Sequence, residues 1–380
     1  MKIGIVYKPY NTVGEPFKGG MCNFVYLQAK YLSKLGHQVT VFTGKGSRFS
    51  KGVNTIMPEW PISKIDIYRA GDDFYKKAER ECKDKIEVVN ASFGELSARF
   101  DRKIESFLKF FAYARAKKFD VLHIVTHDIL ALYPALFASI PCMISFHGHY
   151  KLLGPDFLRW LEFIKKEKGS AENCAWVSVS KYIQKEYSRY VNTRLINNAI
   201  EVKNFKPIYK KQGYLAFLAR IDWRKGLDFA IDFSRRYKIP LFIGGNAEDK
   251  IYFEKIKKGI DDRLVKYLGP QNETQKSQLL GNARALIMPS RYNEAFGRVT
   301  AEALACATPV IAFDKGANPE LVINGKTGYL IKENDFESAK KAWDNIGRID
   351  LKFCRKFAKE NFDIEKQIKE YEKLYKTLIN

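Results

Sequence analysis

The sequence predicts an α/β protein built from two doubly wound, Rossmann-like domains that face each other across a cleft. Three observations carry that expectation. At 380 residues the chain exceeds one ordinary domain and suits two. Short apolar strand patterns alternate with helical ones from the first residue onward, and the alternation starts afresh after Asn198.

The elements follow in order. KIGIVY reads as a strand, FVYLQAKYLSKL as a helix stopped by Gly36, and QVTVFT as the next strand, which is the βαβ rhythm of a parallel sheet. A helix before Asp120 and the strands VLHIV, CMISFHG and WVSVS continue it. These are apolar runs rather than alternations, as expected of strands covered by helices on both faces. The apolar run over residues 129–146 approaches membrane-spanning length, but Pro134 and Pro141 split it into a short helix and a buried strand. AIEVKNFKP lacks periodicity and reads as the crossing between domains. Beyond it YLAFLAR, PLFIGG, VKYLG, ARALIMPS and PVIAF alternate with helices in a second cycle. The tail FDIEKQIKEYEKLYKTLIN is an amphipathic helix whose stripe Ile364, Ile368, Tyr371, Leu374 needs a partner. The expected division is residues 1–197 for the N-terminal, acceptor-side domain and 198–363 for the C-terminal, donor-side domain, with the helix 364–380 packing back on the first.

Composition narrows the class. Hydrophobic residues at 46% and aromatics at 14% exclude disorder. The cysteines Cys22, Cys82, Cys142, Cys174, Cys306 and Cys354 are scattered, with no Cys-x-x-Cys pair and no histidine at ligand spacing, so a reducing compartment and no metal site are expected. MKIGIVYKPY has no apolar core behind a basic start, which points to a cytoplasmic protein. The formal net charge of +22 suits an anionic partner, yet it spreads as about +12 over residues 1–200 and about +10 over the rest. That even spread, without a zinc finger, basic-leucine or RNA-stacking motif, speaks against nucleic acid.

Chemistry concentrates at a few places. ALIMPS ends at Ser290 and runs into RYNEAFGRVTAEALACATPV, with Glu294 in the loop and Gly297 opening a helix that carries Glu302. The two carboxylates can share one cleft with the free N–H groups around Phe296, Gly297 and Arg298. Taken alone, Glu302 reads as a solvated helix residue. LARIDWRKG sets Arg220 after a strand and Lys225 before a helix, and by spacing alone both are ordinary surface charges. Gly19 and Gly20 stand between a strand and a helix, where backbone can approach a phosphate or simply turn. In SFHGHY, His147 and Gly148 follow a strand end, with His149 as a rival.

On these residues the chain resembles the retaining glycosyltransferases of family four, also called glycosyltransferases group 1, which have the GT-B fold. EAFGRVTAE is similar to their Glu-seven-residues-Glu motif, and EALACATPVIAFDKGANPELVINGKTGYL keeps their small residues, Pro309 and Pro319-Glu320. The resemblance covers nearly the whole chain and is densest over residues 196–330. It implies that Glu302 holds the ribose hydroxyls of a nucleotide, that Glu294 lies near the donor sugar, and that the Phe296 and Gly297 amides bond sugar hydroxyls. Arg220 and Lys225 become a diphosphate clamp that stabilises the leaving group. Gly19-Gly20 becomes the donor-side loop, His147 lies near the anomeric centre, and Asn198 matches the crossing motif. The chain departs from the pattern at Ala199 and Glu201, where Gly and Asp are usual, and at Ala317 and Asn318.

The activity so implied is transfer of a sugar, a hexosyl group first of all, from a UDP- or GDP-linked donor to an acceptor hydroxyl with retention. No cofactor beyond that donor is expected, and with no Asp-x-Asp motif no metal. The acceptor would be a saccharide or a lipid-linked glycan, in glycan, glycolipid or cell-surface polysaccharide synthesis. An epimerase or hydrolase of the same architecture, or a basic nucleic-acid binder, are the alternatives. Two stretches mixing basic and aromatic residues, RFDRKIESFLKFFAYARAKKF from Arg99 and FLRWLEFIKKEK from Phe157, read either as sheet-covering helices or as contacts with an anionic membrane at its inner face. In the second, Trp160 and Phe163 are the candidates for an acceptor-side or membrane-facing rim.

Overall fold

The computed structural model describes residues 1–15, 17, 19–58, 103–167 and 173–380. They form two compact units, one of Met1–Val177, Glu186–Arg194 and Glu370–Asn380, the other of Ser178–Lys185 and Leu195–Lys369. The dividing line therefore passes through the chain more than once. Cys82 lies outside the described residues, and the other five cysteines are buried free thiols.

The first unit is built on a seven-stranded sheet in the order β3-β2-β1-β4-β5-β6-β7. The strands are β1 Lys2–Val6, β2 Gln38–Phe42, β3 Val53–Ile56, β4 Val121–Ile124, β5 Cys142–Phe146, β6 Cys174–Ser178 and β7 Arg194–Leu195. β1 pairs in parallel with β2 and with β4, Ile3 standing opposite both Val39 and Val121. The helix Gly20–Lys34 makes the crossover from β1 to β2, burying Phe24, Val25, Leu27, Ala29 and Leu32 on one face. Phe107 and Phe110, on a helix over 103–116, pack against Phe42 with ring centroids 5.5 and 5.0 Å away. Residues 99–102 of the first basic-aromatic stretch lie outside the described residues.

The apolar run over residues 129–146 divides as expected into the helix Ile129–Leu136, which carries Pro134 within it, and the strand β5. One expectation changes here. In the helix Pro155–Lys166, Trp160 faces the core and not a rim: Phe157, Trp160, Leu161 and Ile164 form its buried face. Phe163 packs on Tyr133 at 5.8 Å. The apolar face of that helix is consumed by the unit it covers, and its lysines are what remains outside.

The second unit is a six-stranded sheet, β10-β9-β8-β11-β12-β13, parallel throughout. Its strands are β8 Leu215–Leu218, β9 Leu241–Gly244, β10 Val265–Tyr267, β11 Ala285–Met288, β12 Val310–Phe313 and β13 Gly328–Ile331. Every residue of β8, β11 and β12 is buried, which is why these segments read as unbroken apolar runs. The covering helices start where the sequence supplies caps. Asn272 and Gln275 form a reciprocal capping box for Glu273–Asn282, and Asp335 and Asp350 cap Phe336–Asn345 and Leu351–Asn361. In both sheets the strand order reverses beside the first strand of the unit, between β1 and β4 and between β8 and β11. Ligands of such sheets bind beyond the carboxyl ends of the strands at these reversals.

The C-terminal helix Ile364–Ile379 buries Ile364, Ile368, Tyr371, Leu374 and Tyr375. Its last part belongs to the first unit, where the Tyr371 ring lies 6.0 Å from Phe24 and 5.3 Å from His123. Among the described residues no helix is long and apolar enough to cross a membrane.

Candidate active site

In the second unit, the residues singled out after β8 and after β11 converge on the strand reversal. Asp222 caps the single-turn 3-10 helix Trp223–Lys225, accepting from the Arg224 N–H at 3.0 Å. The Arg224 guanidinium then grips the same carboxylate with two bonds of 3.0 and 3.2 Å. Burial pushes the Asp222 carboxyl up, but the Arg224 bonds and the charges of Arg224 and Arg220 outweigh it and hold it below its usual range. Next comes Gly226 at φ +68, where a Cβ would stand 2.0 Å from the Pro289 carbonyl oxygen. Only glycine lets the β8 loop press onto the end of β11.

That contact delivers Lys225 to Glu294. Lys225 Nζ lies 2.5 Å from Glu294 Oε1, which also accepts from Ser290 Oγ at 3.0 Å. Both side chains are about seven-eighths buried, at 15% and 13% exposure. From the other side, Gly316 at φ +55 supports the loop: a Cβ there would come within 2.5 Å of the Glu294 nitrogen. The Ala317 N–H donates to the Glu294 carbonyl at 2.9 Å. Arg220 stands farther out. At 45% exposure it pairs with Glu248 at 3.2 Å and approaches Asp222 at 3.8 Å. The structure thus gives each basic residue of the expected clamp its own carboxylate partner.

Gly297, at φ +89, opens the helix Arg298–Ala305 and sets Glu302 on its second turn, buried. Arg298 Nη2 is 3.9 Å from Glu302 Oε1, while Nη1 donates to the Ala199 carbonyl at 2.6 Å. Burial lowers the Arg298 pKa and the Glu302 charge works against that. Asn198 braces this carbonyl segment, its Oδ1 accepting from the Ala199 N–H at 2.8 Å. Glu302 Oε2 is buried and has no hydrogen-bond partner among the described residues, and the same holds for Thr300 Oγ1 and Asn318 Oδ1. The last two lie 3.5 Å from where a Cβ on Gly297 would be. The Phe296 ring belongs to the core, edge-on to Phe362 at 5.3 Å, so only its backbone is free to serve a site.

In the first unit, Gly19 and Gly20 form the start of the helix Gly20–Lys34, with no side chain capping it. Gly19 is extended, and a Cβ there would meet nothing within 4 Å among the described residues. His147 follows β5 half-buried. Its Nε2 is 2.9 Å from Ser145 Oγ, its backbone N–H donates to His127 Nε2 at 3.1 Å, and its ring lies 4.2 Å from Phe24. The rival His149 is buried. It caps the turn Tyr150–Leu152 through Nδ1 and meets Glu186 at 2.9 Å through Nε2, so both ring nitrogens serve the fold.

Sequence reading passed over several neighbours. Asp222 and Arg224 carry a cap-and-fork signal in their two-residue spacing, and Arg298 stands four residues before Glu302 on one helix face. Nothing in the sequence marks Ser290 or His127, whose partners are distant in the chain. Among the described residues no group of three His, Cys, Asp or Glu side chains gathers to hold a metal ion.

The model for the family "Glycosyltransferase Family 4" matches residues 18–204, and that for "Glycosyl transferases group 1" matches residues 198–362. The chain is 25% identical over 320 residues to an uncharacterized 41.2 kDa protein in the cps region of Klebsiella pneumoniae, covering 74% of this chain and 87% of that one. It is 28% identical over 204 residues to an uncharacterized glycosyltransferase of Methanocaldococcus jannaschii, covering 52% of this chain and only 56% of that protein's length. HepE of Anabaena, solved in complex with UDP and glucose, shares the fold at a TM-score of 0.72 and 16% identity, over 98% of this chain and 99% of that one. With two adjoining family matches that together run from residue 18 to residue 362, and one fold along nearly the full length, the chain belongs to the group 1 glycosyltransferases and has the GT-B fold.

Proposed function

We propose that this glycosyltransferase moves a hexosyl group from a UDP- or GDP-linked sugar to an acceptor hydroxyl with retention of anomeric configuration, using no cofactor beyond the donor and no metal ion. The observation that carries the reading is Glu302. A buried carboxylate oxygen without a donor is costly, and the pair of hydroxyls on a ribose is the kind of partner that would satisfy it. Thr300 Oγ1 and Asn318 Oδ1, equally unpartnered, add polar capacity around Gly297.

The rest of the site suits a diphosphate. As the bond from the anomeric carbon to the phosphate oxygen breaks, negative charge grows on the leaving group, and fixed cations lower the barrier by meeting it. Lys225 is preplaced by Gly226, and a diphosphate would compete with Glu294 for its ammonium, freeing that carboxylate for a sugar hydroxyl. The acceptor oxygen bonds to the anomeric carbon on the face the leaving group vacates, and its proton passes to the departing phosphate. The family resemblance assigns His147 to the sugar. UDP and glucose in the HepE structure are the ligand class this reading requires. The acceptor is a saccharide or lipid-linked glycan. Peripheral contact with anionic lipid draws support from the outer face of the helix over 103–116, where Leu108 and Tyr113 are exposed beside Lys109.

Calorimetric titration of UDP and GDP into Glu302→Ala tests the central assignment. The expected loss is about 1.5–3 kcal/mol of nucleotide affinity, the worth of a hydrogen bond to a charged group. Wild-type affinity in the variant would overturn it.

A further inference from the structure

A row of hydrogen bonds inside the first unit joins the C-terminal helix to His147. The Tyr375 hydroxyl lies 2.8 Å from His123 Nδ1, His123 Nε2 lies 2.9 Å from Ser145 Oγ, and Ser145 Oγ lies 2.9 Å from His147 Nε2. Tyr375, His123 and Ser145 are fully buried. His123 interrupts the apolar run of β4, where a histidine costs core packing and asks for a reason.

Proton bookkeeping gives the row a direction. Burial, with Tyr371 adding to it, pushes the Tyr375 phenol well above its ordinary value, so it keeps its proton. Burial, with the His147 charge adding to it, pushes His123 down to about 3, so it carries one ring proton and not two. The Ser145 hydroxyl has a single hydrogen and, among the described residues, no hydrogen-bond partner besides the two histidines, so it donates to one and accepts from the other. The phenol settles which. Its hydroxyl has no other hydrogen-bond partner among the described residues. If it accepted from His123, its own hydrogen would be left in the core unbonded, which is costlier than an unfilled lone pair. It therefore donates to His123 Nδ1. His123 Nε2–H then donates to Ser145, and Ser145 donates to His147 Nε2.

We infer that Tyr375, His123 and Ser145 are positioning residues that hold His147 in the tautomer with its proton on Nδ1, leaving that nitrogen a hydrogen-bond donor. Phe24 packed on the imidazole and His127 bonded to the His147 backbone keep the ring in place. An N–H donor suits an oxygen of the donor sugar, and this consequence rests on the proposed reading that His147 stands at the sugar. The tautomer itself does not.

Histidine-labelled, full-length protein read by long-range proton–nitrogen NMR reports the tautomer directly, with His147→Asn identifying the signal. The wild type should show His147 protonated on Nδ1. Tyr375→Phe should shift it toward the Nε2–H form and lower kcat on the order of tenfold, with donor KM and nucleoside-diphosphate affinity unchanged. Tyr371→Phe is the control: it removes a hydroxyl from the same helix that is buried and has no partner among the described residues, and should change neither. Ser145→Ala breaks the row without touching the C-terminal helix, and should shift the tautomer as Tyr375→Phe does. An Nε2–H signal in the wild type, or an unmoved signal in both Tyr375→Phe and Ser145→Ala, would overturn the inference. A shifted tautomer with unchanged kcat would uphold the row and instead remove His147 from the transfer centre.

Discussion

The two units place different chemistry at the same point of the same topology. Beyond β8 and β11 the side chains are basic groups paired with carboxylates: Lys225 with Glu294, Arg224 with Asp222, Arg298 with Glu302. Beyond β4 and β5 they are a phenol, an imidazole, a hydroxyl and a second imidazole joined end to end, Tyr375, His123, Ser145 and His147. A fold does not dictate its site, and here one architecture carries two. On the proposed reading the charged end receives an anion and meets charge that grows during reaction. The other end fixes hydrogen-bond direction, which suits a sugar.

The largest consequence of that contrast is in acid. His123 has its folded pKa pushed from 6.5 down to about 3, and His127 is pushed down as well, both by burial first and the His147 charge second. As pH falls below 6.5 the unfolded chain takes up protons that the folded first unit refuses, so stability present above 6.5 is lost on the way down to about 3. For His123 alone this is on the order of 5 kcal/mol. In the second unit Asp222 and Asp228 are held below 3.8 by their arginine partners against the pull of burial, so their contribution is lost only below that value. Asp232 and Asp363, raised by burial, gain from acid instead. Hydrogen exchange corrected for intrinsic rates, at about pH 7.5 and about pH 5 in mild urea, should show peptides of the first unit losing protection while those of the second keep it. Simultaneous loss would mean that the two sites do not differ in the way described.

Next in size is turnover. Lys225→Ala should lower kcat by about 100- to 1000-fold, the cost of removing one preorganised donor to a developing anion, and weaken donor binding far less. Arg220→Ala should follow the same pattern with a smaller loss, because at 45% exposure it is screened where Lys225 at 15% is not. Steady-state kinetics with donor titration separates the two. Equal losses in kcat and in affinity would reduce both residues to ground-state binding.

The charged site was the more legible of the two because its parts are close in sequence. Glu294, Gly297 and Glu302 fall within one loop and helix, and Arg220 to Gly226 within another, so spacing alone sets them near a common point. What joins the two loops is not written locally. Gly226 against Pro289 and Gly316 against Glu294 are contacts between separate loops, which no local pattern marks. The hydrogen-bonded row was still less legible, since Tyr375 and His123 are 252 positions apart. Tyr375 passes for one more member of an amphipathic stripe. In the fold, long apolar strands announced themselves, whereas β7 has only two residues and β3 is half polar and largely uncovered, so neither carries a pattern to read.

The smallest predicted effect is the most discriminating between the units, and it concerns glycines. Gly226 is required by its own chain, since a side chain there would collide with the Pro289 carbonyl. Gly19 is not: its backbone is extended, and an added Cβ would meet nothing within 4 Å among the described residues. Ala at position 19 should therefore leave the melting temperature within about 1–2 °C of wild type, as surface changes away from special features do. If glycine stands there so that a donor phosphate can approach the bare backbone at the start of the helix Gly20–Lys34, the same substitution should weaken donor binding on the order of tenfold. Thermal unfolding and donor titration on one preparation of Gly19→Ala read both quantities. A loss of affinity at unchanged stability would show that the demand for glycine comes from the ligand. Unchanged affinity and unchanged stability together would remove Gly19-Gly20 from the donor site and leave the first unit with its hydrogen-bonded row alone.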